Sequence, residues 1–119
     1  MDIQRLNPTP RWSDATVFNN MAHFVEIAND TSANIREQVK QIFAQAELTL
    51  SQVNSHKSRI LSATIYVTDF SHMQQLNEEW EAWFPQGCAP SRACVKVELA
   101  DPSYLVEISF VAAVITAQD

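Results

Sequence analysis

Ala89-Pro-Ser-Arg-Ala-Cys-Val-Lys-Val-Glu-Leu99, followed by Ala100-Asp-Pro-Ser103 and Tyr104-Leu-Val-Glu-Ile-Ser-Phe-Val-Ala112, is the stretch on which the fold turns. Alternating β-branched and aromatic residues interrupted at Pro102 predict two strands joined by a short turn. Side chains two apart share a face of a strand. From Arg92 onward, one face therefore carries Arg92, Cys94, Lys96 and Glu98, and the other Ala93, Val95, Val97 and Leu99. An arginine and a thiol at the start of a strand are not what a core needs. The second strand holds one acid, Glu107, in an otherwise apolar run, where a carboxylate requires a partner, water or a chemical task.

The chain has 119 residues, 46% of them hydrophobic, which predicts one globular domain over 1–119 with a substantial core. No run of residues is apolar enough to span a membrane, and the first residues lack a signal-type apolar run, so a soluble cytoplasmic protein is expected. A net charge of −6, with eight scattered Lys and Arg, argues against a nucleic-acid partner. One placed arginine still suffices to hold a small anion. Cys88 and Cys94 are expected to be free thiols, and His23, His56 and His72 lack metal-ligand spacing, so no metal site is expected. A single glycine, Gly87, excludes a P-loop or a dinucleotide fingerprint and leaves turns to Asn, Asp, Ser and Pro.

Along the chain, Ile3–Leu6, Ala15–Phe18 and Met21–Ile27 read as strands, with Asn19-Asn20 as a hairpin turn. Trp12, just ahead of the second, reads as a core or interface anchor. Ile35, Val39, Ile42, Phe43, Ala46 and Leu50 recur at helical spacing after the capping residues Asn29–Ser32, which predicts a helix from about Ser32 to Val53. Ile60–Val67 returns to a period of two, with Leu61, Ala63, Ile65 and Val67 on one face. A second helix is capped by Asp69 or Ser71 and packs through Met73, Leu76, Trp80 and Trp83. Its Glu78, Glu79 and Glu81 fall on a solvated face, and Pro85-Gln86-Gly87 closes it. The pattern is α+β: one sheet with two helices on one face. Its other face would carry Ile108, Phe110 and Ala112 or their neighbours Val111 and Ala113, both too apolar for water, which predicts oligomerisation.

Pro90-Ser-Arg-Ala-Cys-Val95, Val106-Glu-Ile108 fifteen residues after the arginine, Ile65-Tyr-Val-Thr-Asp-Phe70 and Leu76-Asn77 together resemble the reactive intermediate (imine) deaminases, the RidA or YjgF-like family, from Trp12 onward. Arg11-Trp-Ser-Asp14 and Asn77-Glu-Glu-Trp-Glu-Ala-Trp83 resemble its short members. The resemblance implies a chorismate-mutase-like fold and a homotrimer with a barrel-like core and active sites between subunits. It also implies hydrolysis of small enamines and imines, such as 2-aminoacrylate, to 2-keto acids and ammonia without metal or cofactor. By the same resemblance, Arg92 grips the substrate carboxylate, Glu107 serves the attacking water, Cys94 lines the pocket, and Trp12 covers the substrate.

One departure bears on function. Where the family has a small residue followed by glycine near the end of the third strand, this chain has Val25-Glu26. Bulk there narrows the pocket, and a carboxylate pointing inward repels an anionic substrate. The competing function is a non-catalytic trimer that binds a keto acid as a regulatory or binding protein, and a nuclease is disfavoured by the acidic charge.

Overall fold

Asparagine takes the place of glycine at the turns. In the computed structural model, which describes residues 2–117, Asn7, Asn19, Asn20 and Asn54 all have positive φ, as does Gly87. Asparagine tolerates this region because its short side chain hydrogen-bonds locally. At Asn19 and Asn20, φ of 54° and 62° makes the two-residue turn whose twist suits a hairpin, and it joins β2 (Ala15–Phe18) to β3 (Met21–Ile27). The short β1 (Gln4–Leu6) pairs with the outer side of β2.

β4 (Ile60–Val67), β5 (Ser91–Lys96) and β6 (Val106–Ala113) complete one six-stranded sheet in the order β1-β2-β3-β6-β4-β5. The two strands of the Ala89–Ala112 stretch are present but do not form a hairpin. β6 lies at the centre, antiparallel to both β3 and β4, while β5 lies on the edge, parallel to β4. Their residue types account for this. β6 buries Val106, Ile108, Phe110 and Ala112, a row suited to a central strand, whereas Arg92 and Lys96 of β5 suit an edge. The connection passes the end of β4, with Val97 N–H donating to the Val67 carbonyl at 2.9 Å and Thr68 N–H to the Leu105 carbonyl at 3.2 Å.

Helices α1 (Ile35–Gln52) and α2 (Met73–Trp83) cover one face of the sheet. α1 begins three residues later than the sequence suggests, because Asn34 is its cap: Oδ1 accepts from Glu37 N–H at 3.0 Å, while Asp30 closes a separate turn through Ser32. Asp69 similarly caps the 3-10 turn Phe70–His72 and not α2 itself. Val39, Ile42, Phe43, Ala46 and Leu50 of α1 are buried with Leu76 and Trp80 of α2, and Phe43 stacks on Trp83 at 4.2 Å. Glu78 and Glu79 are not simply solvated, since Arg36 of α1 bridges both at 2.6 Å and ties the helices together. A bulge between Ile60 and Ser62 puts Ile60 into the core and leaves Leu61 exposed, which breaks the expected alternation.

The face away from the helices carries Glu107, Ser109, Val111 and Ala113 of β6, so Ile108, Phe110 and Ala112 belong to the core and not to this surface. Phe18, Met21, Val25 and Val95 are exposed, and no second layer covers this face among the described residues.

Gln38 is the one wholly buried side-chain amide among the described residues, at 0% exposure. Its Nε2 donates to the carbonyls of Thr31, Ala33 and Ser103 at 3.2, 3.0 and 3.0 Å, and its Oε1 accepts from Leu105 N–H at 3.1 Å. It therefore fastens the start of α1 to the connection that delivers β6. Gln38→Ala strands these backbone groups and opens a cavity, and is expected to lower unfolding free energy by about 3 kcal/mol. Urea denaturation with an unchanged slope would show this; a loss below about 1 kcal/mol would mean that water replaces the amide.

Candidate functional site

Arg92 stands on β5 in register with Ala63, and Cys94 with Ile65, so both side chains share the helix face of the sheet. α2 receives the arginine. Arg92 Nη2 donates to Asn77 Oδ1 at 2.6 Å, and the guanidinium carbon lies 5.1 Å from the centre of the Trp80 ring. Asn77 and Trp80 lie one helical turn apart, which puts both beneath the guanidinium. Arg92 is itself exposed and pairs with no carboxylate among the described residues, so its fork remains able to take an anion. Sequence reasoning identified Asn77 only as part of a motif and Trp80 only as core; the three-residue spacing on an amphipathic helix was the available signal.

Cys94 is half-buried, with Sγ 3.4 Å from Met73 Sδ. Burial pushes its thiol pKa up, against a smaller downward pull from Arg92, which is the opposite of the shift that activates a cysteine nucleophile. Cys88 is likewise a half-buried free thiol, at the turn after α2.

Glu107 occupies the opposite face. It pairs in register with Ile27 of β3 and Tyr66 of β4, is half-buried, and makes no hydrogen bond or ion pair among the described residues. Within one chain the structure therefore keeps Arg92 and Glu107 apart, on two sides of the same sheet.

Trp12 is no core residue, since 62% of it is exposed. Its loop is nonetheless fixed: Thr9 N–H donates to the Trp12 carbonyl at 2.7 Å, Thr9 Oγ1 accepts from Trp12 N–H at 3.0 Å, and Asn7 Nδ2 donates to Asp14 at 3.0 Å. Trp12 lines a cavity of about 860 Å³ together with Asp14, Val25 and Glu26. The cavity follows the edge of β3 beyond His23, where pairing with β2 has ended. Val25 points away from the helices and is 52% exposed. Glu26 points toward α1, where Gln45 Nε2 and Thr49 Oγ1 donate to its two oxygens at 3.2 and 3.0 Å. Burial holds its carboxyl pKa above the ordinary value of 4.5, with the two donors opposing the shift and Asp14 adding to it.

Arg92 and Glu107 are thus a guanidinium and a carboxylate on opposite faces of a sheet that has one face uncovered among the described residues. No helix among the described residues is long and apolar enough to cross a membrane. The sequence matches the family described as Endoribonuclease L-PSP over residues 2–114. It is 38% identical over 114 residues to the RutC family protein YoaB of Escherichia coli K12, covering 96% of this chain and all of that protein. The fold is similar to that of NMB1025, a YjgF family member from Neisseria meningitidis, at a TM-score of 0.94 and 33% identity over 98% of each chain. An uncharacterized protein from Pseudomonas aeruginosa superposes at a TM-score of 0.93 with 33% identity, over 96% of this chain and all of that one. The chain belongs to the Endoribonuclease L-PSP family, also known as the YjgF or RidA family.

Proposed function

We propose that this protein hydrolyses small reactive imines and enamines to 2-keto acids and ammonia, in clefts formed between the subunits of a homotrimer. The observation that carries this reading is the placement of Arg92 and Glu107 on opposite faces of one sheet, each without an ionic partner among the described residues. A cleft that uses both groups then takes them from different copies, and the uncovered face with Phe18, Met21, Val25 and Val95 supplies an apolar surface for that contact.

In this mechanism Arg92, preset by Asn77 and Trp80, binds the substrate carboxylate through two parallel N–H donors. An enamine first tautomerises to the imine. With its nitrogen protonated from solvent, the imine takes up water at the C=N carbon while Glu107 of a neighbouring copy accepts a proton from that water, giving the carbinolamine. Glu107 passes this proton to the amino nitrogen, and the C–N bond breaks as Glu107 takes the proton of the carbinolamine hydroxyl, whose oxygen becomes the keto oxygen. Ammonia leaves, and the keto acid remains on Arg92. Cys94 contributes wall and backbone, Trp12 covers the substrate, and no step calls for a metal or cofactor. The net charge of −6 gives little support to the nuclease named in the family's description.

An imine generated in situ from serine by a dehydratase is expected to decay faster when catalytic amounts of the protein are present. Unchanged decay with retained 2-keto acid binding would instead establish a binding protein. Arg92→Ala is expected to lose turnover and keto-acid binding together while sedimenting as the same oligomer. If it falls to monomers, Arg92 is structural.

The shared cleft has its own test. Arg92→Ala and Glu107→Gln are each expected to be inactive alone. Co-expressed in equal amounts they should recover about a quarter of the wild-type activity, since one site in four then draws both intact groups from adjacent subunits of a ring. No recovery in mixed oligomers would place both groups in one subunit's site.

A further inference from the structure

A shallow groove of about 450 Å³ runs beside the C-terminal end of α2, and the mechanism described above makes no use of it. Trp80 and Phe84 form its floor, their rings 4.8 Å apart and both largely buried, while Pro85 and Ala89 stand exposed as its walls. The turn between those walls is fixed, because Cys88 N–H donates to the Pro85 carbonyl at 3.0 Å. A Cβ at Gly87 would meet nothing within 4 Å, so the space over the turn is open. Glu81 and Gln86, both exposed, are the polar side chains at the rim, and no lysine or arginine lines the groove.

The groove is continuous with Arg92. Trp80 belongs to both, since the guanidinium carbon lies 5.1 Å from the centre of its ring and the same side chain lines the groove. Asn77, Trp80 and Phe84 follow one another at helical spacing, so Arg92 sits over the first two and the groove opens at the third. From Trp80 to Phe84 the helix advances about 6 Å, roughly the reach of a chain of four or five carbons. A molecule with its carboxylate on the Arg92 fork and its remainder along α2 therefore lays apolar carbons on Trp80, Phe84 and Pro85. A second negative charge placed there loses water and meets the Glu81 carboxylate.

We infer that this groove receives the side chain of the substrate, which makes Phe84 and Ala89 specificity-determining residues and favours imines of amino acids with aliphatic or aromatic side chains over the smallest imines and over acidic ones. One subunit then holds the carboxylate and the side chain together, and the C=N carbon is left open to the water and the Glu107 of the neighbouring copy. The substrate part of this inference rests on the imine-hydrolase reading, whereas the groove as a site for apolar carboxylates does not.

Binding is read first, without turnover. Pyruvate, the keto acids of leucine and of glutamate, and neutral methyl isobutyl ketone are titrated against the full chain, with the tryptophan indole N–H resonances as the readout. The keto acid of leucine is expected to bind about tenfold more tightly than pyruvate, through its buried carbons, and about tenfold more tightly than the ketone, through its carboxylate. The keto acid of glutamate should bind no more tightly than pyruvate. Ala89→Phe, which fills the groove from an exposed position, should erase most of the gain for the leucine keto acid, and the ligand series on the unaltered chain carries the test should that substitution disturb folding. Equal affinity for pyruvate and the leucine keto acid, an equal gain for the glutamate keto acid, or a gain untouched by Ala89→Phe overturns the groove. Imines released from alanine and from leucine by an amino-acid oxidase are then compared. The ratio of kcat/KM should favour the leucine imine about tenfold and shrink in Ala89→Phe. Turnover of both imines without preference overturns the inference and leaves the hydrolase. The expected binding pattern without turnover of either imine upholds the groove, overturns the substrate assignment and removes the hydrolase.

Discussion

The amide of Gln38 is the interaction through which the two halves of the chain are registered. Its partners, at residues 31, 33, 103 and 105, include the turn before α1 and the connection before β6. All four are backbone groups, which a hydrophobic side chain of the same size leaves unpaired in a dry environment. The position of β6 in turn aligns Ile27 and Tyr66 on either side of Glu107 and seats Phe110 against Phe24 at 5.1 Å. A single residue of α1 thus sets the frame in which the carboxylate of the far face is presented.

From that frame follows a division between the two sides of the sheet. The helix side holds Arg92 ready, because α2 supplies both an amide acceptor and an indole face to the guanidinium. The far side holds Glu107 among half-buried neighbours. The β3 edge lies where the two sides meet, and there Val25 turns outward while Glu26 turns toward α1.

Much of this was legible in the sequence because periodicity reports which face a residue takes. β3 and β4 fall where a period of two puts them, and α1 buries the stripe read from its spacing. Arg92, Cys94 and Glu107 stood out because they violate that periodicity chemically. Strand neighbours were not legible: a turn between two strands reads as a hairpin, and only the greater burial of β6 over β5 separates a central strand from an edge. Leu61 misled because a bulge shifts alternation by one residue without a local sign. Gln38 escaped notice because a glutamine in a helix usually faces solvent, and its backbone partners at 103 and 105 are remote in sequence. Glu26 was noticed as a departure from a pattern, but its direction depends on Gln45 and Thr49, one turn of α1 apart.

The central position of β6 has a further consequence for how the sheet is made. β1, β2 and β3 can pair among themselves, and so can β4 and β5, but the two groups meet only through β6, the last strand among the described residues. Until residues 106–113 arrive, β3 and β4 each have an open edge with Phe24 or Ile65 nearby, both of which end up in the core. Those edges are templates for any extended chain, including another copy of this one. Completion of the fold is thereby tied to long-range closure, which is slow compared with local helix formation, and synthesis passes through a stage in which two half-sheets compete for a strand not yet made.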